Sequence, residues 1–367
     1  MVQHFLKSAR AFLSAVALTG LLVTSLAIPT YAGQSRKNKP SEQQIPELLL
    51  EGGRKLSFER TYTNERDIRG KPGFWGRLVD VVAGERDYKA MLRPYGVAVD
   101  SKGRVIVSDP GMSGIHIFDP AQRKYKFIER LEKSKDAMME PQCITVDGKD
   151  NIYVTDSKAG KVFMFQPSGK YIGVLGSIKG SNGEGFFKRP TGIAIDPDKG
   201  DVYVTDTLRD KIYLLDKKGG VIRTIGQHGS GPGEFNYPTE ILARSGLLVV
   251  VDAMNFRVQL FDREGKALGQ IGSRDESAGG LFRPKGIAID SEGHIYLVEG
   301  LSGTVQVFDR EGRLLYSFGQ RGTEPWQFQL PAGLFIDKSD RVYVVDSYNR
   351  RVQVFQYRAL HAAGGQP

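Results

Sequence analysis

One cysteine, Cys143, is all that the 367 residues contain. A lone thiol excludes an internal disulfide, so packing alone must hold the fold. There is no Cys-x-x-Cys-His run, which excludes covalent haem attachment. Histidine is scarce, with five in the chain, and no Ser–His–Asp arrangement or phosphate-cradling loop is recognisable. The 3.6-residue apolar period that a helical solenoid would need is also missing. Charge of one sign dominates only mildly. The formal net charge is +9, and losing Lys7 and Arg10 with the first 32 residues would lower it to +7. Such a surplus suits solubility and anionic partners and falls short of a nucleic-acid signature. Glycine, in contrast, is plentiful at 44 residues, which points to tight turns rather than long helices.

The first 32 residues read as an export signal. Lys7 and Arg10 precede the apolar run AFLSAVALTGLLVTSLAI, and Thr30 and Ala32 form a small-x-small end. The alternative is an uncleaved anchor, since the run approaches spanning length. No cysteine lies near the cut, so a lipid anchor there is excluded. Residues 33–53 are expected to be a flexible leader.

The rest of the chain repeats itself. PYGVAVD begins at Pro94, PQCITVD at Pro141, PTGIAID at Pro190, PTEILAR at Pro238, PKGIAID at Pro284 and PAGLFID at Pro331. The spacings are 47, 49, 48, 46 and 47 residues. Each phrase is followed by a second, such as NIYVTD or RVYVVD, and a third, such as IHIFD or VQVFD. A fourth, such as VIRTIG or LLYSFG, completes most units. Short segments rich in Val, Ile, Tyr and Phe between Gly/Asp/Ser turns are strands. Four strands in about 47 residues is the size of one propeller blade. The fold class is therefore all-β, a six-bladed β-propeller.

These phrases resemble the NHL repeat over residues 92–357. The fuller ending Asp-x-x-Asn-x-Arg-Val occurs at Asp252–Val258 and Asp346–Val352. The resemblance implies the fold, but its members include lyases, RNA-binding modules and sensor ectodomains, so it selects no activity. The sixth unit stops after three strands, which would leave an open edge. Within residues 54–91, KLSFERTYTN (Lys55 to Asn64) is expected to close the ring. Phe74, Leu78, Val81 and Val82 fall at helical spacing and predict a short helix before the first repeat. The alternative has LVDVV closing the ring. Residues 358–367 are expected to be a disordered tail.

Residues present in every unit are expected to build blades. Asp100, Asp147, Asp196, Asp290 and Asp337 precede turns. Asp109, Asp156, Asp206, Asp252, Glu299 and Asp346 end the second strands, where they cap a turn or pair with Arg257 and Arg351. Function should show where the copies differ. The residues just before proline gather at one mouth of the axial channel: Arg93, Glu140, Arg189, Tyr237, Arg283 and Leu330. Arg93, Arg189 and Arg283 form a tripod suited to a carboxylate, sulfate or phosphate. The competing reading pairs each with a strand-end acid. Unit four departs most, placing Tyr237 and Glu240 near the axis. Cys143 is expected to be a small buried residue.

Amidating lyases resemble this chain in repeat and export and use histidine-held zinc. Here His116, His228, His294 and His361 are expected too far apart to share a metal. Lactonase-type propellers, which resemble it in architecture, hold calcium with Glu, Asn and Asp near the axis. Glu240, Glu140 and Asn236 only approximate that set. RNA binding needs a more basic, aromatic face. The expectation is a periplasmic or extracellular, non-catalytic, monomeric scaffold with no cofactor, no metal and no nucleic acid. It would bind a protein, anionic glycan or small anionic ligand through Arg93, Arg189, Arg283, Tyr237 and Glu240, with no membrane span once the signal is cut. The alternative is a metal-dependent propeller hydrolase or lyase working at the channel mouth.

Overall fold

The computed structural model describes residues 47–50, 53–69, 88–131, 134–175, 186–272 and 279–359. The export signal, most of the leader, the helix expected around Phe74–Val82 and all but the start of the tail lie outside the described residues. No helix among the described residues is long and apolar enough to cross a membrane.

Each repeat is a four-stranded antiparallel meander. Blade 3 is representative: Pro190–Ile195, Val202–Asp206, Lys211–Leu215 and Val221–Ile225 pair in chain order. The first strands start at Val97, Pro141, Pro190, Pro238, Pro284 and Pro331. Each touches the first strand of the next blade, and that of blade 6 touches that of blade 1, so they form a closed circle. The fourth strand of blade 6 is Lys55–Tyr62, antiparallel to Arg351–Arg358 in a register running from Lys55↔Arg358 to Tyr62↔Val352. The short strand Leu48–Leu49 then pairs with Lys55 and Leu56. One helical turn, Arg66–Arg69, precedes blade 1.

The second strands are almost wholly buried, as in blade 1 where all of Val105–Asp109 is buried, whereas the first strand of blade 4, Pro238–Arg244, is mostly half-buried. Outer strands alternate, as in Leu314–Phe318 of blade 5. The core therefore lies between blades. Val251, Val258, Leu281 and Ile287, for example, join blades 4 and 5 in one cluster. Close packing around the axis is what the glycine after proline permits. A Cβ on Gly192 would sit 2.7 Å from the Thr239 carbonyl oxygen and 2.8 Å from the Glu240 Cα. One on Gly333 would sit 2.4 Å from the Tyr95 carbonyl oxygen, to which the Gly333 N–H donates at 2.8 Å.

The acids in every blade hold backbone. At the first turn Asp100, Asp147, Asp196, Asp290 and Asp337 each accept two backbone N–H bonds through Oδ1. At the end of the second strand, Asp109 accepts from Leu92 and Arg93, and Asp206 accepts from Lys188 and Arg189. Asp252 and Asp346 accept one backbone N–H each and pair with Arg257 and Arg351 at 2.9 and 2.8 Å.

Candidate functional site at the axial mouth

Antiparallel pairing of Pro190 with Asp206 and Pro284 with Glu299 puts the entry to strand one and the exit from strand two on one face. Arg93, Glu140, Arg189, Tyr237, Arg283 and Leu330 all stand there. The Arg93, Arg189 and Arg283 backbone N–H groups bond to the strand-end acids Asp109, Asp206 and Glu299. Their guanidinium groups do not, and among the described residues they make no hydrogen bond or ion pair. The three side chains are exposed. The acids already hold backbone donors, which leaves the cations unneutralised.

Tyr237 has a positive φ of 59° and gives its N–H to Asp210 instead of to the strand-end acid Asp252. Its ring stays on the face, 39% exposed. The same face exposes Leu92, Met139 and Phe282 just before first strands, and Leu208, Met254, Leu301 and Tyr348 just after second strands. Eight of the exposed large apolar residues, Tyr237 included, thus surround one opening.

Deeper in that opening, side chains from four blades meet. Glu240 of blade 4 accepts a 2.9 Å hydrogen bond from the Cys143 thiol of blade 2. It does so across Gly192, where blade 3 offers no side chain. The Lys285 ammonium of blade 5 lies 5.6 Å from the centre of the Tyr95 ring of blade 1, and the blade between them carries only Ala332 at that position. Burial pushes the Glu240 carboxyl up to about 7, against the lowering effect of the Cys143 bond and the Lys285 charge. Burial, and then the Glu240 charge, hold the Cys143 thiol well above its ordinary value. Lys285 is lowered by burial and then by the Arg283 and Arg189 charges, while Glu240 works the other way. Tyr95 is raised, first by burial.

Arg189 and Arg283 therefore bear, like Glu240, on both Tyr95 and Lys285. Tyr95 and Lys285 escaped the sequence reading. Both occupy the position just after proline, where the other units carry Gln142, Thr191, Thr239 and Ala332. Comparing that position across units is the signal that could have found them. Along the axis lies a cavity of about 220 Å³, walled by Val97, Ile144, Ile193, Ile241, Ile287 and Leu334 together with Glu240, Cys143, Thr145 and Arg244.

The three described histidines stay apart, and His361 lies outside the described residues. His116 is fully buried against Asp109 at 3.2 Å, and His228 is an exposed neighbour of Asp210. His294 lies on the opposite face at the first turn of blade 5, with Asp290 and Glu292. That trio has metal-ligand proximity, yet each member already has protein partners. His294 bonds Asp290 at 2.8 Å, and Glu292 accepts from Arg54 and from the Tyr357 hydroxyl.

A family described as a 6-bladed beta-propeller matches residues 101–212 and 198–254, and the NHL repeat matches residues 328–355. No curated protein sequence matches the chain. Among solved structures, streptogramin B lyase is 17% identical with a TM-score of 0.53, covering 72% of this chain and 93% of that one. Virginiamycin B lyase from Staphylococcus aureus is 16% identical with a TM-score of 0.52, covering 72% and 94%. An auxiliary nutrient binding protein from Bacteroides thetaiotaomicron is 11% identical with a TM-score of 0.57, covering 73% and 70%. At these identities the likeness concerns the fold alone.

Proposed function

Because the chain is a six-bladed β-propeller of NHL-type repeats, we propose that it is an exported, non-catalytic scaffold that binds an anionic partner on its axial-mouth face. One observation carries this reading. Arg93, Arg189 and Arg283 are unneutralised on a face that also exposes Leu92, Phe282, Met254 and Tyr348. Guanidinium groups without protein partners offer forks to carboxylates, and interspersed apolar side chains offer buried area. An acidic protein surface with apolar contacts matches both. The apolar leader with its small-x-small end supports delivery to the periplasm or the exterior. A fold relative named as a nutrient binding protein is compatible with a binding role.

The test compares residues 33–367 with the Arg93→Ala/Arg189→Ala/Arg283→Ala variant in cross-linked pull-downs from the envelope fraction, with Ile222→Ser on the outer rim as control. The partner should be lost with the triple variant and kept with Ile222→Ser. A partner retained by the triple variant, or full-length chain found only in the cytoplasm, overturns the proposal.

A further inference from the structure

The mostly apolar rim of the axial-mouth face is interrupted at one junction. Two residues before the first-strand prolines stand Leu92, Met139, Lys188, Asn236, Phe282 and Gln329. Two residues after the strand-end acids stand Gly111, Lys158, Leu208, Met254, Leu301 and Tyr348. The two lysines are the only charges in either set, and both belong to the junction of blades 2 and 3. They line a cleft of about 550 Å³ together with Lys135, Lys161, Arg209, Asp136 and Met139.

The walls of this cleft are fastened. Asp136, the one acid in the lining, accepts from Lys161 Nζ and from the Tyr171 hydroxyl, both at 2.8 Å, which ties the segment before blade 2 to that blade. The Phe187 N–H donates to the Gly160 carbonyl at 3.1 Å. Arg209 donates to the Phe186 carbonyl at 2.9 Å and to Asp206 at 3.0 Å. The acid and two of the cations are thereby occupied. Lys135, Lys158 and Lys188 are exposed, and among the described residues their ammonium groups have no hydrogen bond or ion pair. Three free cations thus reach one fixed cleft from three separate segments, and an anion that spans them relieves their repulsion.

On the basis of the partner reading above, we propose that this cleft receives a short run of Asp and Glu side chains from that protein, with carboxylates at Lys135, Lys158 and Lys188. Lysine suits such a ligand because its compact charge on a flexible stem pairs with one carboxylate at a time, at whatever spacing a peptide presents. A polypeptide also brings apolar neighbours for Met139, which lines the cleft, and for the exposed Leu208 beside Arg209. An acidic glycan or a free phosphate supplies the charge without those contacts.

The experiment is a fluorescence anisotropy titration of dye-labelled, end-blocked hexaglutamate with residues 33–367. Unlabelled hexaglutamate, hexaglutamine and hexagalacturonate serve as competitors. Hexaglutamate should bind saturably at low salt and weaken at least about tenfold as salt rises from about 0.05 to about 0.3 M. Hexaglutamine should not compete. Lys158→Leu/Lys188→Leu gives this junction the side chain that Leu92 and Leu208 already place at these positions in other units, and should weaken hexaglutamate at least about tenfold. Lys170→Gln/Lys217→Gln removes the same charge from the turns on the opposite face and should change affinity less than about twofold. If the leucine variant does not fold, Lys158→Gln/Lys188→Gln replaces it and the same loss is required. No saturable hexaglutamate binding, equal weakening by the two pairs of substitutions, or stronger competition by hexagalacturonate than by hexaglutamate each overturns the proposal. An envelope partner lost in the triple arginine variant while hexaglutamate fails to bind overturns this cleft and leaves the partner face standing. Hexaglutamate bound through Lys158 and Lys188 with no envelope partner recovered supports the cleft and tells against the partner reading.

Discussion

Blades 1 to 3 and blades 4 to 6 fasten their inner ends by different chemistry. In the first half, hydroxyls bridge neighbouring blades. Ser108, Thr155 and Thr205 accept the N–H of Gly96, Cys143 and Gly192 and donate to the carbonyls of Gln142, Thr191 and Thr239 in the next blade. In the second half the same position is Val251, Val298 and Val345. Blade 6 there meets blade 1 by a direct backbone bond, from Gly333 to Tyr95. Blades 4 and 6 move their polar chemistry outward instead. Asn255, Arg257 and Gln259 converge on Asp252, and Asn349, Arg351 and Gln353 converge on Asp346. The same blade geometry thus tolerates two solutions to one requirement, the satisfaction of buried backbone and carboxylate groups. The seam between the two halves, at Gly192 and Glu240, is where the candidate site sits.

The largest effect should come from breaking the outward network. In Arg257→Ala, the fully buried Asp252 loses its ion pair and keeps only neutral donors from Asn236, Asn255 and Gln259, and chemical denaturation should report a loss of about 3–5 kcal/mol. Arg209→Ala is the counterpart in blade 3. Its ion pair with Asp206 involves a 40% exposed arginine side chain and should be worth under about 1 kcal/mol. Equal losses would mean that the two halves do not differ as described.

Next is the seam. Gly192→Ala forces a methyl into backbone 2.7–2.9 Å away and should cost about 1–3 kcal/mol by overpacking. It should also disturb the Glu240–Cys143 bond, because the Glu240 backbone passes directly over this glycine. Gly148→Ala, with open space around the added carbon, should change neither.

Hydroxyl exchange sharpens the comparison by sign. Thr155→Val should cost about 1–2 kcal/mol, since the Cys143 N–H and Thr191 carbonyl lose their partner. In blade 3, Thr191 bonds Thr205 and Thr207. In blade 4 those positions are Val251 and Ala253, and the Thr239 hydroxyl is buried without a partner. Thr239→Val should therefore stabilise by about 1 kcal/mol.

The smallest effect is visible only against pH. The folded-state value of Glu240, about 7, lies above its ordinary 4.5. Stability from the neutral carboxyl is present below about 4.5 and declines as pH climbs from there to about 7. Glu240→Gln should match wild type at pH 4 and exceed it by about 1–2 kcal/mol at pH 8 in urea unfolding, a figure discounted for the partly exposed carboxyl.

Much of this was legible in residues 92–357, because a blade's turns, capping acids and strand-forming residues are local and recur each time. The departures Glu240 and Cys143 were legible as well, as interruptions of a repeated phrase. Their bond was not, since 97 residues separate them and an intervening glycine brings them together. Arg93, Arg189 and Arg283 look equivalent in sequence, and the charges of Arg189 and Arg283 bear on Tyr95 and Lys285 of other blades.

By itself, the sequence determined the number of blades, the place of their strands and which positions must hold turns, because those depend on neighbours a few residues apart. Only the tertiary structure decided which side chains share the axial mouth and which acids are already occupied. It also decided which cations lack a protein partner. Closing the circle brings residues of different blades together, as with Cys143 and Glu240 at 2.9 Å, and burial and charge act over that distance, not along the chain.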